Sequence, residues 1–210
     1  MKILGLKRGM LVLFGVLLAM VIMAQSGLAF AGVPTDQVRA TVDRVMAILQ
    51  DPNLKSADKL QERRELLNKT ISARFDFAEM AKRSMGGEWR RLTPAQQKQF
   101  VDLFAELLRD NYIADIESYK GEKVAYKREI LDDDQQYAIV QTVLKSPKGD
   151  EYSINYKVYL MDREWKVYDV VIEDVSVVNN YRAQFARLIN QSSIDGLFRA
   201  LQEKKLAKKK

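Results

Sequence analysis

VAYKREILDDDQQYAIVQTVLKSPKGDEYSINYKVYLMDREWKVYDVVI, residues 124–172, switches the hydrophobic period of the chain from that of helices to that of strands. Val124, Tyr126, Arg128 and Ile130 alternate with their neighbours and give a first strand. Asp132-Asp133-Asp134 reads as a solvated turn. Tyr137 to Lys145 is a second strand, apolar on both sides near Ala138-Ile139-Val140. Ser146-Pro147-Lys148-Gly149-Asp150 has hairpin-loop chemistry. Tyr152, Ile154, Tyr156, Val158 and Leu160 form a third strand with clean alternation, and Trp165 to Ile172 form a fourth after the turn Asp162-Arg163-Glu164. Short loops between four successive strands predict an antiparallel meander.

Helical patterns flank this block. Upstream, Pro34-Thr35-Asp36 opens a helix carrying Val38, Val42, Val45, Met46 and Leu49, which Asp51-Pro52-Asn53 stops. Ser56 is placed to cap a second helix through Leu60, Leu67 and Ile71. Asp76 and Glu79 have capping-box spacing around Phe77, and Gly86-Gly87 ends that helix. Thr93-Pro94-Ala95-Gln96 is the clearest helix start in the chain. Phe100, Leu103, Phe104, Leu107 and Leu108 follow on a wide apolar face, and Phe100, Phe104 and Leu107 are expected to face the concave side of the sheet. Downstream, Tyr181, Phe185, Leu188 and Ile189 share one helical face. Leu197, Phe198 and Leu201 share another in a short last helix that Ser192-Ser193 can cap. Helices, a meander, then helices predict an α+β domain with helices on one face of a curved four-stranded sheet.

The first 31 residues have the three parts of a secretory signal peptide. Lys2, Lys7 and Arg8 precede an apolar run from Met10 to Ala24, and Ala29-Phe30-Ala31 offers small residues for cleavage before Gly32. The run of about 15 residues is short of the roughly 20 that span a bilayer. The expected organisation is a signal peptide at 1–31, one domain at 32–203 and a basic tail at 204–210. Residues 32–203 carry 26 Lys and Arg against 28 Asp and Glu, so the +6 of the whole chain sits in the leader and the tail. An exported body without basic excess argues against nucleic acid as a partner. The tail reads as a frayed, solubilising end, or as a weak attraction to anionic surfaces.

Function by elimination stays open. The chain has no Cys and no His, which removes disulfides, the usual catalytic triads and the commonest transition-metal ligands. No catalytic constellation, metal site or cofactor motif emerges. Glu173-Asp174 can point carboxylates into a cleft or simply form a solvated turn. Asp132-Asp133-Asp134 lacks EF-hand spacing. What stands out is a surplus of Met and aromatic residues on both sides of the meander, which fits either ordinary core or the lining of an apolar cavity.

Several ordered blocks carry a resemblance. Phe75-Asp76-Phe77-Ala78-Glu79-Met80-Ala81, Gly86, Trp89, Thr93-Pro94-x-Gln96 and Phe100-x-x-x-Phe104-x-x-Leu107-Leu108 are followed by Tyr119-x-Gly121-x-x-Val124-x-Tyr126. Trp165-Lys166-Val167-Tyr168-Asp169-Val170, Val175-Ser176, Asn180-Tyr181-Arg182-x-Gln184-Phe185 and Asp195-Gly196-Leu197 complete the set. Over most of residues 36–203 the chain resembles the periplasmic phospholipid-binding proteins of the MlaC, or toluene-tolerance, family. It departs at Asp174, where the family pattern has Gly, and at Ser192-Ser193, where a Gly is frequent.

The resemblance implies a roll similar to nuclear transport factor 2, with added helices. It implies a monomeric, non-enzymatic carrier in the periplasm, with acyl tails buried and the headgroup near solvent. The implied partners are phospholipid, an inner-membrane ABC lipid transporter complex and an outer-membrane lipoprotein–porin complex, and the implied role is to maintain outer-membrane lipid asymmetry. The expected lining is Val140, Tyr156, Val170, Ile172 and Val175 from the sheet, with Phe77, Met80, Phe104, Leu107, Tyr181 and Phe185 from the helices. Two rivals are a roll-fold enzyme on a small apolar substrate, with Asp169, Glu173 or Asp174 as base, and an exported adaptor with a filled core.

Overall fold

Proline at the first helical position starts α1 (Pro34–Gln50), and Asp51 ends it, its carboxylate accepting from the Asn53 N–H. The structure of the chain, a computed structural model, describes residues 33–208, so the predicted signal peptide lies outside the described residues. Two single 3-10 turns lead to α2 (Leu60–Arg74). Ser56 precedes the second turn without the side-chain cap bond expected of it. Asp76 caps α3 (Phe77–Met85) by accepting from the Glu79 N–H at 2.9 Å. The reciprocal half of the box is missing. The Asp76 N–H donates to the Val167 carbonyl instead, and the Glu79 carboxylate pairs with Arg83 and Lys82.

Thr93 and Gln96 form the complete capping box that the sequence predicts, and α4 (Pro94–Glu117) runs for 24 residues behind it. Four strands follow: β1 (Lys123–Leu131), β2 (Tyr137–Lys145), β3 (Glu151–Met161) and β4 (Glu164–Ile172). A fifth, β5 (Val175–Ser176), pairs with the end of β4, so the sheet has five strands rather than four. Two residues are too few to show a period, which is why the sequence reading stops at four. The order is β1-β2-β3-β4-β5, every neighbour antiparallel. Helix α5 (Val177–Gln191) is capped by Ser176, and α6 (Ile194–Lys208) by Ser193, whose hydroxyl accepts from the Gly196 N–H. With no glycine or proline to stop it, α6 carries the helix to Lys208, where a frayed tail is expected.

Two bulges bend the sheet. An extra residue at Lys127 in β1 breaks the expected face. Tyr126 lies opposite Thr142, but Glu129, not Arg128, lies opposite Val140. A second extra residue, Tyr168, interrupts β4. The bulges increase local twist and curl the sheet. Helix α1 packs against β1, β2 and β4, and α3 to α6 pack mainly on one another, with α5 touching β4.

A buried aromatic cluster lies among the helices. Phe100 meets Phe104, Phe185 and Phe198 at 5.6–6.0 Å between ring centres, and Trp89 at 6.5 Å. Phe104 meets Tyr181 at 5.3 Å and Phe185 at 5.7 Å. The aromatic contacts of Phe100 and Phe104 are thus interhelical. Their ring partners come from α5, α6 and the turn after α3. A stripe read from one helix reports that a partner exists, but not whether that partner is helix or sheet.

Candidate functional site

The register of the sheet assembles one face row by row. Val140, Tyr156 and Val170 lie directly across from one another on β2, β3 and β4. The next row on the same face is Tyr126, Thr142, Ile154 and Ile172. Four of the predicted wall residues (Val140, Tyr156, Val170 and Ile172) are thus brought together. Val140, Thr142 and Val170 are buried. Tyr126, Ile154, Tyr156 and Ile172 keep part of their surface.

Tyr156 lies at the centre of this face and is partly buried. It sits deep enough that burial alone pushes its phenol up to about 12, yet it is not packed flush. Tyr126 stands one row away. Burial, then the neighbouring Tyr156 and Asp43, push its phenol up, and the Arg39 guanidinium 4.5 Å from its ring opposes them. Its hydroxyl is buried and has no hydrogen-bond partner among the described residues. A buried hydroxyl left unpaired costs about 1–3 kcal/mol, so this position calls for a further polar partner. Tyr126 is absent from the predicted lining. Its place follows from the hairpin register with β2, which a single-strand period does not supply.

The helical candidates occupy three places. Phe104, Tyr181 and Phe185 belong to the interhelical aromatic cluster, where Asn111 donates to the Tyr181 hydroxyl at 2.6 Å. Leu107 is buried one turn beyond Phe104. Met80 is buried within α3, while Phe77 at its start stacks on Phe75 at 6.0 Å and is half-buried. Val175 stands apart from all of them. It lies on the two-residue edge strand and is 57% exposed, because β5 is the rim of the sheet and no element covers it.

The carboxylates considered as bases have other work. Asp169 accepts from the Ser176 hydroxyl at 2.7 Å and from the Val178 N–H at 3.0 Å, so it anchors the start of α5. Glu173 accepts from the Ser153 N–H. Asp132 accepts from the Gln136 and Tyr137 N–H groups and makes the first turn. Among the described residues, no group of three or more His, Cys, Asp or Glu is placed to hold a metal, and no helix is long and apolar enough to cross a membrane.

With this geometry in hand, the comparisons are specific. The family model described as MlaC protein matches residues 39–203. The chain belongs to the MlaC family. The toluene tolerance protein ttg2D of Pseudomonas putida is 22% identical over 191 residues, covering 90% of this chain and 85% of that protein. An intermembrane phospholipid transport system binding protein MlaC from Haemophilus influenzae is 22% identical over 122 residues, 57% of each chain. A phospholipid-binding protein from Ralstonia solanacearum, solved in complex with a phospholipid, superimposes with a TM-score of 0.76 at 30% identity over 84% of this chain and 99% of that one. The family fold is therefore an antiparallel sheet with helices packed against it.

Proposed function

We propose that this protein is a monomeric periplasmic phospholipid carrier, holding acyl tails between the sheet face of Tyr126, Ile154, Tyr156 and Ile172 and the helices, and moving lipid between an outer-membrane lipoprotein–porin complex and an inner-membrane ABC transporter complex. The observation that carries the reading is the fold shared with a phospholipid-bound relative, with the buried, unpaired Tyr126 hydroxyl on the same sheet face as Tyr156. The signal-peptide pattern at 1–31 supports export.

The energetics suit a shuttle. Each buried CH₂ contributes about 0.8 kcal/mol, so two acyl chains exceed roughly 20 kcal/mol relative to water. Free release is then negligible. Exchange with a membrane-side conduit, itself apolar, needs only near-equal affinity on both sides. Asp169 and Glu173, committed to backbone and hydroxyl donors, favour a carrier over the enzyme reading. The adaptor reading requires a filled core, and the fold shared with a relative solved in complex with a phospholipid favours the carrier.

Native mass spectrometry of periplasmic protein purified without detergent tests this. The expected species begins at or near Gly32 and carries one phospholipid mass. Ile172→Trp, which fills the space without adding charge, is expected to lower the lipid-bound fraction at unchanged fold. Recovery of a folded, wholly lipid-free wild type would overturn the carrier assignment.

A further inference from the structure

We propose that a solvent-facing cleft on the opposite side of the sheet is a binding site for a phosphoryl anion. The cleft, about 360 Å³, lies between α3, the start of α5 and strands β3 and β4. Lys157 and Asp169 are cross-strand partners next to Tyr156 and Val170, so their side chains point away from the candidate tail cavity. The site rests on this cleft alone and does not depend on the lipid reading.

Charge is the argument. Five cations line the cleft (Lys82, Arg83, Arg90, Lys157 and Arg182) against one carboxylate, Asp169. Glu79, just outside, pairs with Lys82 and Arg83. Asp169 is already occupied by the Ser176 hydroxyl and the Val178 N–H, and it reaches Lys157 only at 3.5 Å. Among the described residues, Arg90 and Arg182 have no carboxylate partner. Clustered cations without counterions repel one another, and a bound anion relieves that cost.

Geometry adds to charge. Gly86 has φ +56°, and a Cβ built on it would lie 2.8 Å from the Arg182 Nε. The guanidinium therefore packs against bare backbone, in space that a side chain at position 86 would take. A planar fork held in this way, with a second arginine and a lysine around it, matches the oxygens of a phosphoryl group. Asp169 and Glu79 together leave the five cations under-neutralised. The same chemistry is presented by free phosphate and by the phosphate of a lipid headgroup.

The test is an NMR titration of the purified protein at low ionic strength, with inorganic phosphate in one arm and glycerophosphoethanolamine in the other. Saturable shifts are expected at the Gly86 and Asn179 amides and the Trp89 indole. Affinity is expected to fall about tenfold or more in Arg90→Gln/Arg182→Gln. Binding of both ligands means that the phosphoryl group itself is read. Binding of glycerophosphoethanolamine alone assigns the site to a headgroup, and of phosphate alone to the free ion. No saturable shift from either ligand at millimolar concentration overturns the proposal, and so do shifts that the folded double variant leaves unchanged. The wild-type titration decides even if the variant fails to fold. Lipid retention in the mass spectrum reports on the carrier assignment separately.

Discussion

Asp174 occupies a backbone conformation that side chains resist. The turn between β4 and β5 places Glu173 at φ 46° and Asp174 at φ 62°, both left-handed. A left-handed φ suits Gly, and Asp is a tolerable occupant. Aspartate accepts the left-handed region better than most residues, and β-branched residues worst. A left-handed residue costs roughly 1–2 kcal/mol for an ordinary side chain. Glycine removes that cost but gives back about 0.5–1 kcal/mol in unfolded-chain entropy. Asp174→Gly is therefore expected to stabilise by at most about 1 kcal/mol, and Asp174→Val to destabilise by about 1–2 kcal/mol. Urea midpoints should rank Gly above Asp above Val. A Val variant as stable as the parent would mean that the turn relaxes out of the left-handed region.

Helix starts were readable because they are local. The Thr93–Gln96 box at the head of α4 needs only four consecutive residues, and both of its bonds are present. Thr93→Ala should cost about 1 kcal/mol in unfolding free energy, and the Thr93→Ala/Gln96→Ala double variant less than the sum of the single losses, because the two bonds share one motif. Additive losses would show that the two arms act independently. The strands were readable for the same reason, and β3 pairs with β2 without a bulge from Glu151 to Tyr159. Where a second element sets the answer, the sequence falls silent. The bulge at Lys127 exists only as a mismatch with β2, and it moves Arg128 and Ile130 to the face opposite Tyr126. Tyr126 entered the candidate site through that pairing. The aromatic stripe of α4 was seen correctly as buried, but its cover of α5 and α6, not the sheet, was set by packing across more than 70 residues of chain. The basic cleft assembles residues from α3, β3, β4 and α5, and no spacing in the sequence announces it.

At the scale of the molecule, one carboxylate ties the two ends of the upstream helical segment together. Glu117 lies at the last turn of α4, where the helix dipole disfavours a negative charge. Arg63 and Arg64 of α2 compensate, donating to its two oxygens at 3.1 and 2.8 Å, and the Gln50 amide bonds Tyr119 just beyond. Burial pushes the Glu117 carboxyl up, but the hydrogen bonds from Arg64 and then Arg63 outweigh it and hold the group below the ordinary glutamate range. A carboxyl whose value is lower folded than unfolded stabilises the fold above its unfolded value, about 4.3, and that contribution disappears as pH falls through the folded value. Glu117 and Arg63 are largely shielded, while Arg64 is 40% exposed and its share is screened by solvent. Glu117→Gln is accordingly expected to cost about 1–2 kcal/mol at pH 7, less than a fully buried pair would. Urea unfolding at neutral pH and again well below pH 4 checks the sign, because the gap between parent and variant should narrow in acid as the parent's carboxylate is protonated. A gap that stays constant with pH would assign the loss to packing at the α2–α4 contact rather than to charge.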